Sequence, residues 1–169
     1  PILETWYPSW QGGTIIPETL FGDYNPVWKL TVTFPKSVGQ IELNFPFKPG
    51  SHGTQPQSGP NGSGSTRVMG ELYPFGHGLS YTSFEYSDLK VTPLEQKTQG
   101  NYTITFNLTN TGKRQGDEVV QLYVCDKYSS VVAYNSVLRG FERISLNPGE
   151  TKRVTFELTP EDLQLLDRN

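Results

Sequence analysis

Between Phe84 and Leu158 apolar and polar residues alternate with a period of two, in five runs each closed by a turn signal. The runs are Phe84 to Thr92, Tyr102 to Leu108, Glu118 to Cys125, Val137 to Leu146 and Thr151 to Leu158. Asn110-Thr111-Gly112 and Asn147-Pro148-Gly149 supply turns between them. In the second run Tyr102, Ile104, Phe106 and Leu108 fall on one face and Thr and Asn on the other, the pattern of a strand with one wet side. Cys125, at the end of the apolar run from Val119 to Val124, reads as a buried, inert thiol.

Evenly spaced short strands of this kind predict an immunoglobulin-like or fibronectin-like β-sandwich. Such a sandwich normally has about seven strands, so five leave it incomplete. The first fifty residues carry a different pattern. Ile2 to Tyr7 reads as a short strand. Gly12-Gly13-Thr14 opens a short helix through Phe21, with Ile16 and Leu20 on one face, Pro17 in the first turn and Gly22 as its cap. Leu30 to Phe34 reads as a second strand that stops at Pro35. Strand, helix, strand suits the tail of an α/β sheet, yet three such elements cannot enclose a core. Ser51 to Thr66 contains no large apolar residue and reads as a long exposed loop. The expected division is therefore 1–50 as an α/β remnant, 51–83 as loop and linker, and 84–169 as the incomplete sandwich.

Composition sharpens this picture. Glycine (17) and proline (13) are abundant in 169 residues, which favours strands and turns over a helical bundle. A net charge of −3 gives no basic footprint for nucleic acid, and no apolar run approaches the roughly 20 residues that span a membrane. The first residues lack the order of a signal peptide. One cysteine excludes an intrachain disulfide.

The candidate chemistry is thin. Glu4, Glu18, Asp23, Glu71 and Glu85 are carboxylates of the right type for acid/base or nucleophilic work, but none stands in a motif that fixes a second carboxyl group beside it. Asp23 reads as a turn former. His52 and His77 lie near serines and glycines without the Gly-x-Ser-x-Gly turn of an esterase, and with Cys125 they show no metal-ligand spacing. Gly12-Gly13 reads as close packing at a helix start rather than a phosphate cradle. Trp6, Tyr7, Trp10, Tyr24 and Trp28 offer flat faces that suit sugar stacking or burial against a sheet. Asn61, Asn101 and Asn107 head glycosylation acceptor patterns, read as incidental.

The run Glu71-Leu72-Tyr73-Pro74-Phe75-Gly76-His77-Gly78-Leu79-Ser80-Tyr81-Thr82-Ser83-Phe84-Glu85-Tyr86 joins the two patterns. It resembles the linker that enters the last domain of glycoside hydrolase family 3, the β-glucosidase family. Ile2 to Pro8, Leu20 to Pro26 and Leu30 to Pro35 resemble the end of that family's α/β-sandwich domain. Gly116 to Val124, Leu138 to Arg143 and Leu146 to Thr151 resemble its fibronectin type III-like domain. Thr31, His77 and Val27-Trp28 depart from the family's usual residues, which touches packing more than identity.

The resemblance implies a C-terminal part of a retaining enzyme acting on terminal β-linked glucose, periplasmic or secreted. It also implies that the nucleophile and the acid/base lie before Pro1 and that two further strands follow Asn169. This chain would then hold no catalytic, cofactor-binding or metal-binding residue, and its β-glucoside substrate would belong to the intact parent. The alternative is a non-catalytic β-sandwich module that binds carbohydrate or protein. Missing strands leave an open edge, so self-association, or a second chain supplying strands, is expected.

Overall fold

The computed structural model describes residues 2–40, 43–49, 70–93 and 100–165. A helix, α1 (Gly12–Phe21), is followed by two short strands, β1 (Phe34–Pro35) and β2 (Glu71–Tyr73), and by five long ones. These are β3 (Phe84–Thr92), β4 (Tyr102–Asn110), β5 (Gly116–Val124), β6 (Val137–Leu146) and β7 (Thr151–Leu158), with a 3₁₀ turn at Glu161–Leu163. The period-two runs are thus the five strands of a mainly β fold, matching the expected bounds within two residues.

The five strands form two antiparallel sheets, ordered β3-β4-β7 and β5-β6. Ile104, Phe106, Leu108 and Asn110 all face inward from β4, as alternation requires. Phe106 and Leu108 meet Val154 of β7 and, from the other sheet, Val120, Ile144 and Leu146. Phe84 and Phe156 pack against this cluster. Opposite Phe156 the second sheet carries Gly140, where a Cβ would lie 3.0 Å from the Phe156 ring. A ring from one layer therefore seats on bare backbone of the other, which lets the layers close. In β3 the register with β4 slips between Ser87 and Lys90. There Asp88 takes φ 54° and accepts a 2.8 Å hydrogen bond from the Asn107 side chain, a bulge held by a side-chain tether.

Several expectations for the first region fail. Ile2 to Tyr7 is irregular chain rather than a strand, because no neighbouring strand pairs with it among the described residues. The second strand shrinks from Leu30–Phe34 to Phe34–Pro35, paired antiparallel with β2. A three-residue partner such as β2 leaves no readable alternation. Helix α1 forms and ends at Gly22 with φ 86°, as expected. Pro17, however, sits inside it, and Leu20 and Phe21 are exposed, so the expected apolar face is not the buried one. Gly12 and Thr19 are buried instead. Cys125 is exposed: β5 ends at Val124, one residue before the thiol. The loop Ser51 to Thr66 lies outside the described residues.

Candidate functional site

The first region docks on the outward face of β5 and β6 and folds round the edge of β5 that no strand pairs with among the described residues, leaving a groove of about 520 Å³ at the junction. Alternation sends Asp117, Val119, Gln121 and Tyr123 outward from β5 and Glu118 and Val120 toward the core side. The chain from 22 to 30 and the linker from 74 to 82 approach these side chains together. They are tied to one another by backbone bonds Leu30 N–H to His77 O (2.8 Å) and Gly76 N–H to Leu30 O (2.7 Å).

Gly76, at φ 80°, lies against Gln121 and the Tyr123 hydroxyl so closely that a Cβ would strike both. The Gln121 amide donates to Gly76 O at 3.2 Å, and the Tyr123 hydroxyl donates to the Gln121 side-chain oxygen. Burial pushes the Tyr123 phenol up from its ordinary pKa. Phe45 stacks on Phe75 at 4.5 Å and meets Tyr123 edge-on at 5.6 Å, which gives the groove an aromatic wall.

At the other wall Lys29 places its Nζ 3.0 Å from one Glu118 oxygen and 3.1 Å from the second. The Tyr86 hydroxyl of β3 donates to Glu118 at 3.0 Å, so the carboxylate links both sheets to the first region. The Lys29 and Glu118 side chains are only 18% and 12% exposed. Tyr86 is pushed well above the usual phenol range, first by burial of its hydroxyl, then by the negative charge of Glu118 and the hydrogen bond to it. Lys152 of β7 and Glu142 of β6, 3.9 Å apart, bridge the opposite side of the sandwich.

A second cluster lies beside the end of α1. Arg143 holds Asp117 through Nε at 2.6 Å and Nη2 at 2.5 Å, and its guanidinium lies 5.3 Å from the Trp28 ring centre. Arg114 donates to Gly22 O at 3.0 Å and the Tyr81 hydroxyl to Thr19 O at 2.7 Å, so carbonyls at the helix end find partners. The Asn25 side-chain oxygen accepts from Ser80 Oγ (3.0 Å) and Tyr81 N–H (2.8 Å).

The carboxylates singled out in sequence do not converge. Glu4 accepts the Trp6 N–H at 2.9 Å ahead of α1, Glu18 is exposed on α1, and Asp23 lies in the turn after it. Glu85 is exposed on β3, and only Glu71, on β2, lines the groove. Sequence reading passed over Glu118. Its signal was a charge at an inward position of an alternating strand. His77 stacks on Tyr73 at 5.1 Å while Ser80 turns to Asn25, so the histidine and serine serve the linker. Gly12 abuts Pro8, the close packing expected at that helix start. Trp6, Tyr7, Trp10 and Trp28 are all exposed, Tyr7 and Trp10 almost fully. His52 and Asn61 lie outside the described residues, and Asn107 is held by Asp88. Among the described residues no group of three or more His, Cys, Asp or Glu is placed to hold a metal ion.

The sequence model of the glycosyl hydrolase family 3 C-terminal domain matches residues 1–81, and that of the fibronectin type III-like domain matches 118–169. A β-xylosidase of Formosa agariphila is 43% identical over 99% of this chain and 22% of its own length. A periplasmic β-glucosidase of Salmonella typhimurium is 42% identical over 96% of the chain and 22% of its own length. Among solved structures, a β-glucosidase of Listeria innocua in complex with gluconolactone superposes with a TM-score of 0.85 at 31% identity, over 98% of this chain and 23% of that one. One from Erythrobacter marinus gives 0.82 at 39%, over 96% and 20%. The chain thus spans about a fifth of the length of the relatives it matches.

Proposed function

The chain belongs to glycoside hydrolase family 3, to the C-terminal region of its members, and on that premise we propose that it is the non-catalytic, supporting part of a retaining enzyme acting on terminal β-linked glucose. The division into an α/β remnant (1–50), loop and linker (51–83) and incomplete sandwich (84–169) belongs to the same proposal, as does the placing of both catalytic carboxyl groups outside this chain.

The observation that carries it is the state of Glu118. Of the groove's carboxylates it has the most partners, and Lys29 and Tyr86 hold its oxygens between two donors. A nucleophile or proton donor needs an oxygen free to meet substrate, and a second carboxyl group about 5–5.5 Å away. Glu118 is used as a strut. The test is hydrolysis of an aryl β-glucoside by the purified chain, which should not exceed the buffer blank. Turnover that survives repurification and disappears in Glu71→Gln or Glu118→Gln would overturn the reading.

The exposure of Tyr7, Trp10 and Trp28 favours one second reading, a non-catalytic module that binds carbohydrate by stacking. It requires that Trp10→Ala abolish retardation of the chain in a gel containing soluble β-glucan. Under the first reading no retardation occurs, since the aromatics pack against protein in the parent.

A further inference from the structure

We infer that Trp28 and Lys29 form a clamp that grips the β5-β6 sheet from both faces, and that it makes the first region and the sandwich a single unfolding unit. Neighbours in sequence, the two side chains go to opposite sides of that sheet, Trp28 to Arg143 of β6 and Lys29 to Glu118 of β5. Trp28 lies on the outward face, under the Arg143 guanidinium that is itself held by Asp117. Lys29 goes round the edge of β5 to Glu118, whose side chain belongs to the inner face and is tied to β3 through Tyr86. Asp117 and Glu118 are also neighbours, so one consecutive pair of residues is tied to another, directly at Lys29 and through Arg143 at Trp28. The jaw cannot slide along the strand, because a one-residue shift would present each side chain to the wrong face.

Two features hold the jaw in place. Leu30, the next residue, is locked to Gly76 and His77 by the two backbone bonds. Gly78 lies directly against Trp28 O, where a Cβ would collide with backbone. The first region has little core of its own: Val27 is its one buried large apolar side chain among the described residues. Its order therefore depends on contacts with the sandwich, among which the Lys29–Glu118 pair is the charged one that is mostly buried.

The composition supplies the probe. All three tryptophans, Trp6, Trp10 and Trp28, lie in the first region, and none lies in the sandwich. Emission quenching and anisotropy of Trp6, edge-on to Phe34, and of Trp28 thus report one body and the far-ultraviolet strand signal chiefly the other. In the native chain the two thermal transitions should coincide. In Lys29→Met/Arg143→Gln, which removes both jaws, the emission midpoint should fall by roughly 5 °C or more below the strand midpoint, a separation on the scale of losing one or two such contacts.

Separate transitions in the native chain, or coincident ones in the double variant, would overturn the inference. Should the double variant fail to fold, Lys29→Gln alone decides by native-state hydrogen exchange. Its Leu30 and Gly76 amides should exchange roughly tenfold faster than in the native chain while β4 amides keep their rates, as expected for loss of one part-buried charged contact. Equal acceleration of β4 amides, or none at Leu30 and Gly76, would sink it.

Discussion

Asn110 shows how one polar residue can terminate a strand and define a core at once. It is fully buried, and its amide donates to Arg114 O (2.7 Å) and Leu146 O (3.0 Å). Its oxygen accepts from Thr82 Oγ1 (2.7 Å) and Gly112 N–H (3.0 Å). Removing the side chain leaves four groups without their partner, the Leu146 carbonyl buried and the other three part-buried, so Asn110→Ala should cost about 2–3 kcal/mol in urea unfolding. Asn110→Asp should cost at least as much, since it turns an acceptor toward two carbonyls. In sequence Asn110 was legible only as a turn residue. Its burial depends on Leu146, 36 positions away, which no local pattern announces. Cys125 failed for a related reason: apolar neighbours predict burial only while the strand lasts.

Tyr86 adds a pH dependence. Its folded pKa is raised above the unfolded value near 10, so the native state disfavours the phenolate relative to the unfolded chain. The stability this group contributes is complete below about pH 10 and declines as the pH rises toward its folded pKa. Tyr86→Phe should therefore flatten the alkaline limb of a stability-against-pH curve. An unchanged slope between about pH 10 and 12 would show that the hydroxyl is not held as described.

At the scale of elements, the five long strands were legible because each satisfies its own alternation, with Tyr102, Ile104, Phe106 and Leu108 the clearest case. The first region was legible at α1, whose glycines and proline punctuate it, and not elsewhere. Ile2 to Tyr7 has the residue types of a strand, yet Trp6 turns the backbone at φ 51° and a strand exists only by pairing. Glycines in two elements give opposite predictions. At Gly140 a Cβ would press on the Phe156 ring at 3.0 and 3.2 Å, so Gly140→Ala should destabilise by about 1–3 kcal/mol through overpacking. At Gly13, in the first turn of α1, a Cβ meets nothing within 4 Å. There alanine should stabilise by about 0.5–1 kcal/mol through the helical preference of its backbone. Thermal melts of the two variants should move in opposite directions.

On the scale of the whole molecule, the family and the β-sandwich could be read from the sequence, whereas the junction could not. It is built from contacts such as Lys29 to Glu118 that span 89 positions. Two sheets of three and two strands leave edges without partners among the described residues. Leu89, Val91 and Phe141 stay exposed on the sandwich, and Trp10, Leu20 and Phe21 on the first region. We expect the isolated chain to self-associate or to take strands from a second polypeptide. Sedimentation at micromolar concentration should find it heavier than one chain. A compact monomer with a single sharp thermal transition would refute this.

The bulge at Asp88 bears on what form such association takes. A β-ladder grows only along a straight edge, and the displaced Asp88 interrupts that of β3, while β5 is held at its start by Lys29. The remaining edges, β6 and β7, lie on one side of the molecule, bridged by Glu142 and Lys152. A particle whose open strand edges lie on one side pairs by strand addition through a two-fold axis and those edges are then used up, whereas one with two opposed edges polymerises without end. Assembly of this chain should accordingly stop at two copies and yield no amyloid-like fibre.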